Sequence, residues 1–155
     1  MADSIRKRIM TAFDTRLRTI RVVNGYATNA GANVYDWLTT NLAVSSLPAI
    51  TYKDPVVSGG EVVTIAGPVD SQREFEMDVE CTLISNGAGI RAVIRDMIAD
   101  LIRAIGVDPT WGGLALSTDL SGDDTEIEQH EETIGSCTVK TRVIYRTKMW
   151  DTTTQ

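Results

Sequence analysis

The pattern of apolar and polar positions is most regular in residues 73–105, where two periodicities follow one another. From Glu74 to Leu83, apolar side chains alternate with acidic or polar ones, as in a strand with one buried and one solvated face. After Ser85-Asn86-Gly87, apolar residues recur at helical spacing. The apolar helix positions are Ile90, Val93, Ile94, Met97, Ile98, Leu101, Ile102 and Ile105, whereas Arg91, Arg95, Asp96, Asp100 and Arg103 take the polar side. This stretch predicts a strand and a helix that pack on each other.

Another helix is predicted at the start of the chain. Asp3 or Ser4 provides a side-chain acceptor for the free amides of a first helical turn. Apolar residues then follow at helical spacing and define a core-facing stripe: Ile5, Ile9, Phe13, Leu17 and Ile20. In the later helix, Gly106 is placed to end the element, and Pro109 lies just beyond it.

Further strands are predicted on both sides of the central one. Residues 47–52 have strand character, and residues 125–132 predict a strand that turns at Ile134-Gly135-Ser136 and returns as residues 137–147. The returning strand has Cys137, Val139, Thr141, Val143 and Tyr145 on one face and Lys140, Arg142, Arg146 and Lys148 on the other. If it pairs with residues 73–85, its basic face lies beside Glu74, Glu76, Asp78 and Glu80, and such opposite charges favour the pairing.

The remaining segments are less regular. Residues 21–26 predict short extended chain around Asn24-Gly25, followed by a loose connection. Residues 53–72 contain several Gly and Pro breakers and predict a mobile projecting loop or hairpin, with residues 61–66 as one arm. Residues 149–155 form a short C-terminal tail. The elements predict one domain over residues 1–155 of the α+β class, with a mostly antiparallel sheet and two main helices on one face.

Charge is unevenly distributed along this chain of net charge −6. Residues 1–21 contain six basic and two acidic side chains, a local charge of +4, so the rest of the chain carries −10. Residues 114–137 contain seven acids and no Lys or Arg. The basic segment is compatible with a solvated surface, a contact within the chain, a contact with a neighbouring copy, or a polyanion. Candidate subunit-contact residues are Arg16, Arg18 and Arg21 on the basic side and Glu126 and Glu128 on the acidic side.

Candidate chemistry is sparse. The single histidine, His130, lies among alternating carboxylates, but no calcium-site spacing accompanies them. Cys81 and Cys137 occupy inward strand positions and are predicted to be buried free thiols. Phosphate-binding, dinucleotide and nucleophile-elbow motifs are absent from the sequence. The sequence therefore predicts no catalytic residue, metal site or cofactor, and no enzyme activity.

Binding to nucleic acid or membrane is also disfavoured. The pI is near 4.7, and the chain lacks the interleaved aromatic and basic residues of a single-strand platform. No apolar run reaches the roughly 20 residues of a membrane span. The polar start is unlike a signal peptide, which predicts synthesis in the cytoplasm.

The three tryptophans are the large side chains that can anchor an interface. Trp37 is predicted to belong to the core. Trp111, between Pro109 and two glycines, and Trp150, in the tail, fit either a core or an interface position. Both are therefore included among the candidate contact residues.

Several motifs resemble small tail proteins of tailed bacteriophages and prophages. At the start they are Met1-Ala-Asp-Ser-Ile-Arg-Lys-Arg-Ile, Ala12-Phe13, Arg16-Leu17, Thr19-Ile-Arg-Val, Asn24-Gly-Tyr and Asn33-Val with Trp37. Later ones are Asp108-Pro-Thr-Trp-Gly-Gly-Leu-Ala115, Tyr145-Arg-Thr and Trp150-Asp151. The resemblance spans nearly the whole chain apart from residues 53–72. The family that these motifs resemble is the tail-terminator, or lambda U-like, family of minor tail and tail-completion proteins.

The resemblance implies a structural virion protein at the junction of tail and neck. Such proteins have a compact α+β fold and form a hexameric ring on the head-proximal end of the tail tube, where they stop polymerisation and provide the head-joining surface. The implied partners are other copies of the chain, the major tail tube protein, the neck or head-closure protein and the tape-measure protein. Genomic DNA is expected to pass through the lumen without sequence-specific binding.

Two alternatives stay open from the sequence. A different neck ring, such as a head-closure or stopper protein, would use surfaces of the same kind. A small hydrolase or ligand-binding domain is the alternative from another class. It would need a concave cluster of titratable groups with a nucleophile or base, and a chain with one histidine does not favour it.

Overall fold

Helix α1 spans Ile5–Leu17 in the computed structural model, which describes residues 1–129 and 132–155. Ser4 caps it, because its side-chain oxygen accepts a hydrogen bond from the backbone N–H of Lys7 at 3.2 Å. The apolar stripe predicted for this helix is buried along its whole length. The helix and its start are therefore confirmed.

Helix α3 spans Ile90–Gly106 and packs on the same sheet face as α1. Its apolar side is buried or partly buried except for Ile102, which was predicted on that side but is 41 % exposed, and the helix ends where the sequence predicts. Asp100 is an exception to the predicted division, since this carboxylate is buried at 4 % exposure instead of lying on the solvated side. It accepts hydrogen bonds from the backbone N–H groups of Ala27 and Thr28 and from the Thr28 hydroxyl. The carboxylate thereby fixes the 26–28 loop against α3.

The sheet has five strands in the order β1-β2-β3-β5-β4. Only the pair of β1 and β2 is parallel, and the other neighbours are antiparallel. One face carries both helices and the buried core, and the other is solvated, which confirms the predicted α+β class. The strands are β1 (Val34–Asp36), β2 (Ala49–Thr64), β3 (Gln72–Asn86), β4 (Ser117–Gln129) and β5 (Thr133–Lys148).

The solvated face of the β3–β5 pair carries the predicted ladder of opposite charges. Arg146 donates to Glu74 at 2.9 Å, and Arg142 donates to Asp78 at 2.9 Å. Glu80 pairs in register with Lys140 but forms an ion pair with Lys53 of β2, at 3.1 Å. The predicted pairing of these two strands is confirmed, and the ladder extends across three strands.

The charge ladder predicts a small, salt-dependent contribution to stability. Replacing Arg142 by alanine is expected to lower the midpoint of denaturant unfolding only slightly, because the guanidinium lies on the solvated face. Denaturant titration at low and high salt measures the loss, which should shrink as salt rises. Arg91→Ala on the exposed side of α3 is the matched control. A loss for Arg142→Ala that is insensitive to salt, or no larger than that of the control, would contradict this assignment.

Residues 53–72 form a hairpin and not a loop. Strand β2 continues to Thr64, a short helix α2 (Gly67–Asp70) follows, and β3 begins at Gln72. The Gly and Pro residues of this segment coincide with register shifts between Lys53 and Val56 and between Gly59 and Glu61, and they do not end the strand. Of the two predicted forms, the hairpin is therefore the observed one.

Two local predictions are wrong, and one predicted strand begins earlier than expected. Residues 22–24 form a 3₁₀ turn ending at Gly25 (φ 84°), not extended chain, because Arg21 O accepts from Asn24 N. Ile134-Gly135-Ser136 lie inside β5, and Gly135 is needed because a Cβ there would approach Ile90 Cγ1 to 2.5 Å. The strand predicted at 125–132 already begins at Ser117, and its His130 and Glu131 lie outside the described residues.

The C-terminal tail, residues 149–155, is held against the domain. The Asp151 carboxylate accepts bonds from the Thr153 amide and hydroxyl and from the Thr154 hydroxyl. Ile5 N donates to Thr152 O at 2.8 Å, which joins the tail to the first turn of α1. Met149 N donates to Ser71 O at 2.8 Å, so the tail also contacts the β2–β3 hairpin.

Candidate subunit interface

Helix α1 lies towards the β1 edge of the sheet. Phe13 packs against Tyr52 of β2 with ring centroids 6.0 Å apart, and the Tyr52 hydroxyl donates to Asp14 at 3.0 Å. Burial and this bond to a carboxylate raise the pKa of Tyr52, so the hydroxyl stays a donor. Arg18 Nη2 donates to Val34 O of β1 at 3.1 Å. The basic helix is thus fixed over β1 and β2, and α3 lies over β3 and β5.

Some positive charges of α1 are paired within the chain. Arg6 lies 2.6 Å from Asp54, Lys7 lies 2.7 Å from Asp3, and Arg18 lies 2.7 Å from Asp14. The bond to Asp14 raises the pKa of Arg18. Arg8 and Arg21 are exposed and have no ion pair among the described residues. Arg21 is therefore the predicted contact residue whose charge is most available to a neighbour.

Arg16 and Trp111 lie together, but in a structural cluster. Trp111 is 3 % exposed and packs against Phe13 with ring centroids 4.8 Å apart. Its indole N–H donates to Thr118 Oγ1 at 2.8 Å. The Arg16 guanidinium lies 5.8 Å from the indole centroid and donates to Ala104 O at the end of α3. Trp111 is therefore a core residue, and its inclusion among the contact residues is wrong for the folded chain.

The acidic candidates lie at the opposite edge of the sheet. Strand β4 is the outermost strand on that side, and the described part of it is largely exposed. Glu126 and Glu128 point to the solvated face, because they pair in register with Ser136 and Ile134 of β5. Within one chain, these acids and the basic residues of α1 are separated by the width of the sheet. The structure does not bring the two predicted charge sets together.

The other two tryptophans are exposed. Trp150 is 77 % exposed, and Arg73 Cζ lies 5.1 Å from its ring centroid. Trp37 was expected in the core but is 50 % exposed, because the chain leaves β1 with φ 46° at this residue. Its indole N–H donates to Asp54 Oδ1 at 3.0 Å. Trp150 remains a candidate contact residue.

The sequence reading missed an exposed apolar group along the β2–β3 hairpin. Its members are Val56, Val62, Val63, Ile65 and Val69, each between 42 % and 88 % exposed. Paired valines beside glycines were the available signal, and the breakers among them indicated a loop instead. Exposed apolar side chains grouped on one element are typical of a contact surface.

The described residues offer little to a reaction. Burial raises the pKa of both the Cys81 and the Cys137 thiol, which disfavours the reactive thiolate. Within residues 1–129 and 132–155, no three His, Cys, Asp or Glu side chains are grouped to hold a metal ion. No helix in that part of the chain is long and apolar enough to cross a membrane.

No protein-family model matches the sequence, and no curated protein matches it either.

Proposed function

We propose that the chain is a tail terminator, a structural subunit that closes into a ring on the head-proximal end of a phage tail tube. The observation that supports this most is the placement of opposite charges on opposite edges of one sheet. A head-to-tail contact needs two different, complementary patches on each copy, and such contacts close into rings when the rotation permits. The sequence resemblance supplies the expected number of six subunits.

The two edges carry charges of opposite sign, and these charges lie at the same height along the strands. Val34 of β1 is connected through the registers of Ile50, Leu83 and Cys137 to Thr125 of β4. Arg18 is bonded to Val34 O, and Glu126 follows Thr125 directly. Neighbours related by rotation about an axis along the strands therefore set Glu126 level with the contact of Arg18 with Val34 O. Because Glu126 points to the solvated face and α1 lies on the other face of the sheet, a contact with Arg21 has to reach around the edge of β1.

A ring of such subunits terminates a tube through its surfaces. One rim binds the last ring of the tube and leaves no site for another tube subunit, and the other rim binds the neck. The net charge of −6 favours a lumen that does not retain DNA. Neither task uses a nucleophile, a metal or a cofactor.

Tail assembly without this protein tests the proposal. Overlong tubes that do not join heads are the expected result in electron micrographs, with normal length restored when the chain is supplied. Tails of normal length without heads would instead indicate a head-closure protein. Tails of normal length that carry heads would overturn the proposal.

A charge exchange tests the subunit contact. Arg21→Glu or Glu126→Arg alone is expected to weaken association of copies, and the double variant is expected to restore it. Exposed ion pairs contribute about 0.2–1 kcal/mol each, so each single variant should raise the dissociation constant up to about fivefold. Sedimentation of purified chain at low salt measures the change. Arg91→Glu, on the exposed side of α3, is the control that leaves association unchanged. Single variants that associate like the parent chain would exclude this contact.

A further inference from the structure

One edge of the sheet is covered only in part. Strand β1 pairs with residues 50–52 of β2, and no strand of the described chain lies beside the outer edge of residues 53–64. The N–H and C=O groups of a free strand edge are a template for another strand. At the far side of the sheet, no strand of the described chain lies beside the outer edge of β4 over residues 117–127. Each copy thus carries two free edges of nearly equal length.

We infer that residues 53–58 of β2 pair with residues 117–122 of β4 from an adjacent copy, so that the sheet continues from one subunit to the next. This inference rests on the proposed ring and names its main-chain contact. It does not depend on the side-chain contact of Arg21 with Glu126.

Strand direction permits this pairing. Strand β2 is antiparallel to β3, and β4 is parallel to β3, because two antiparallel steps through β5 separate them. Strands β2 and β4 therefore run in opposite directions. If both copies have their helices on the same side of the continuous sheet, β4 of the neighbour consequently lies antiparallel to β2. Antiparallel pairing is compatible with these strand directions, and at Asp54 it requires Arg6 to leave the backbone carbonyl that it occupies in the single chain.

The two segments also lie at the same height. Ser117 is connected through Ile144 and Glu76 to Ser58, and Asp119 is connected through Arg142 and Asp78 to Val56. Gly122 is connected through Lys140 and Glu80 to Lys53. A rotation about an axis along the strands brings these pairs together without a shift along the axis.

The shapes of the edges agree with this arrangement. The free part of β2 is recessed behind β1 by one strand spacing, roughly 4.8 Å. Strand β4 has a register shift between Leu120 and Gly122, and such bulges bend a strand. Residues 117–120 of the neighbour can therefore enter the recess, and residues 123–129 pass outside β1. Strand β1 acts as the stop that sets the register.

Matched register and strand direction favour a second copy as the occupant. At the recess, Lys53 forms an ion pair with Glu80, and Arg6 of α1 bonds to the side chain and carbonyl of Asp54. The entering segment carries one exposed acid, Asp119, which adds a carboxylate beside these two basic side chains in the proposed pairing. Pro55, within the β2 register shift, has no N–H and so limits promiscuous pairing at this edge.

Cysteine cross-linking tests the contact. Val56 and Asp119 lie on the solvated face at equal height, and facing Cα atoms in antiparallel pairs lie about 4.5–5.5 Å apart, within disulfide range. Oxidised full-length V56C/D119C is expected to give a ladder of covalent multimers that ends in a closed ring. An equimolar mixture of V56C and D119C single variants is expected to give a mixed dimer. Cys81 and Cys137 are buried and do not compete.

The matched control is V56C/E126C. Glu126 lies on the same strand and face, but at the height of Ile84, six residues along β3 from the level of Val56, or about 20 Å. A ladder for V56C/D119C without one for the control supports the inference. Equal ladders in both variants, or no ladder at any protein concentration, overturn it. If no ladder forms but tails assembled without this protein are overlong, only the edge pairing is overturned. If tails assembled without this protein have normal length and carry heads, the proposed function is overturned.

Discussion

Replacing Asp100 by alanine is expected to lower the free energy of unfolding by about 3–5 kcal/mol. The carboxylate is buried and accepts three hydrogen bonds, and each bond to a charged acceptor contributes about 1.5–3 kcal/mol without full additivity. The substitution also leaves the amides of Ala27 and Thr28 without this acceptor inside the structure. Denaturant unfolding measured by circular dichroism determines the loss.

Two further variants identify the cause of that loss. Asp96→Ala, one turn earlier on the exposed side of α3, is expected to change stability by less than about 0.5 kcal/mol. Asp100→Asn keeps the shape and one acceptor oxygen, so its loss should be smaller than that of alanine. An Asp100→Ala protein as stable as Asp96→Ala would show that the loop at residues 26–28 does not depend on this carboxylate.

Gly31→Ala is expected to destabilise the chain by about 3 kcal/mol. Gly31 lies directly behind the end of α1, and its N–H donates to Ile20 O at 2.9 Å. A Cβ at this position would overlap Leu17 O and lie 2.9 Å from Ile20 O, and backbone atoms cannot turn aside as a flexible side chain can. Overpacking of this kind typically costs about 1–3 kcal/mol, and rigid backbone neighbours place it at the upper end.

Gly106→Ala is the control for that substitution. A Cβ there meets no atom within 4 Å, and the residue is the last one of α3. Alanine in place of a helical glycine is expected to be neutral or to stabilise by up to about 1 kcal/mol. Thermal unfolding of both variants gives the comparison. Equal melting temperatures would contradict the close packing of residue 31 against α1.

The elements that the sequence predicts well are those with one buried face. Alternation in β3 and β5 and the helical stripes of α1 and α3 each identify a dry side, because a slip by one residue would expose it. Asp100 was missed because its residue type marks a solvated position, and its partners lie 72 and 73 residues away in the sequence.

The glycines of β2 and the burial of the tryptophans were harder to predict, because residue type alone does not determine either of them. Gly59 and Gly60, at φ 90° and 88°, continue β2 through irregular pairing instead of ending it. Trp37 and Trp111 both have positive φ, and the first is exposed and the second buried, which side-chain type alone does not determine. The candidate interface depended on strand order, since unequal charge along the chain does not reveal that the two patches occupy opposite edges.

The proposed function depends on the edges of the sheet, and α1 and α3 serve as the rigid body between them. In β3, the acidic side chains of the solvated face stabilise the sheet through Arg142 and Arg146. Strand β4 is the edge strand of the described sheet, so the side chains of Asp119, Asp124 and Glu126 lie at a border that a neighbouring copy can approach.

Growth of a tail tube in the presence of the purified chain tests the proposed termination. Preformed tubes are incubated with the chain, supplied with fresh tube protein of the same phage, and measured by electron microscopy. A terminator is expected to form a ring on one end of each tube and to prevent further elongation from that end. Elongation from both ends, equal to that of tubes without the chain, would contradict it.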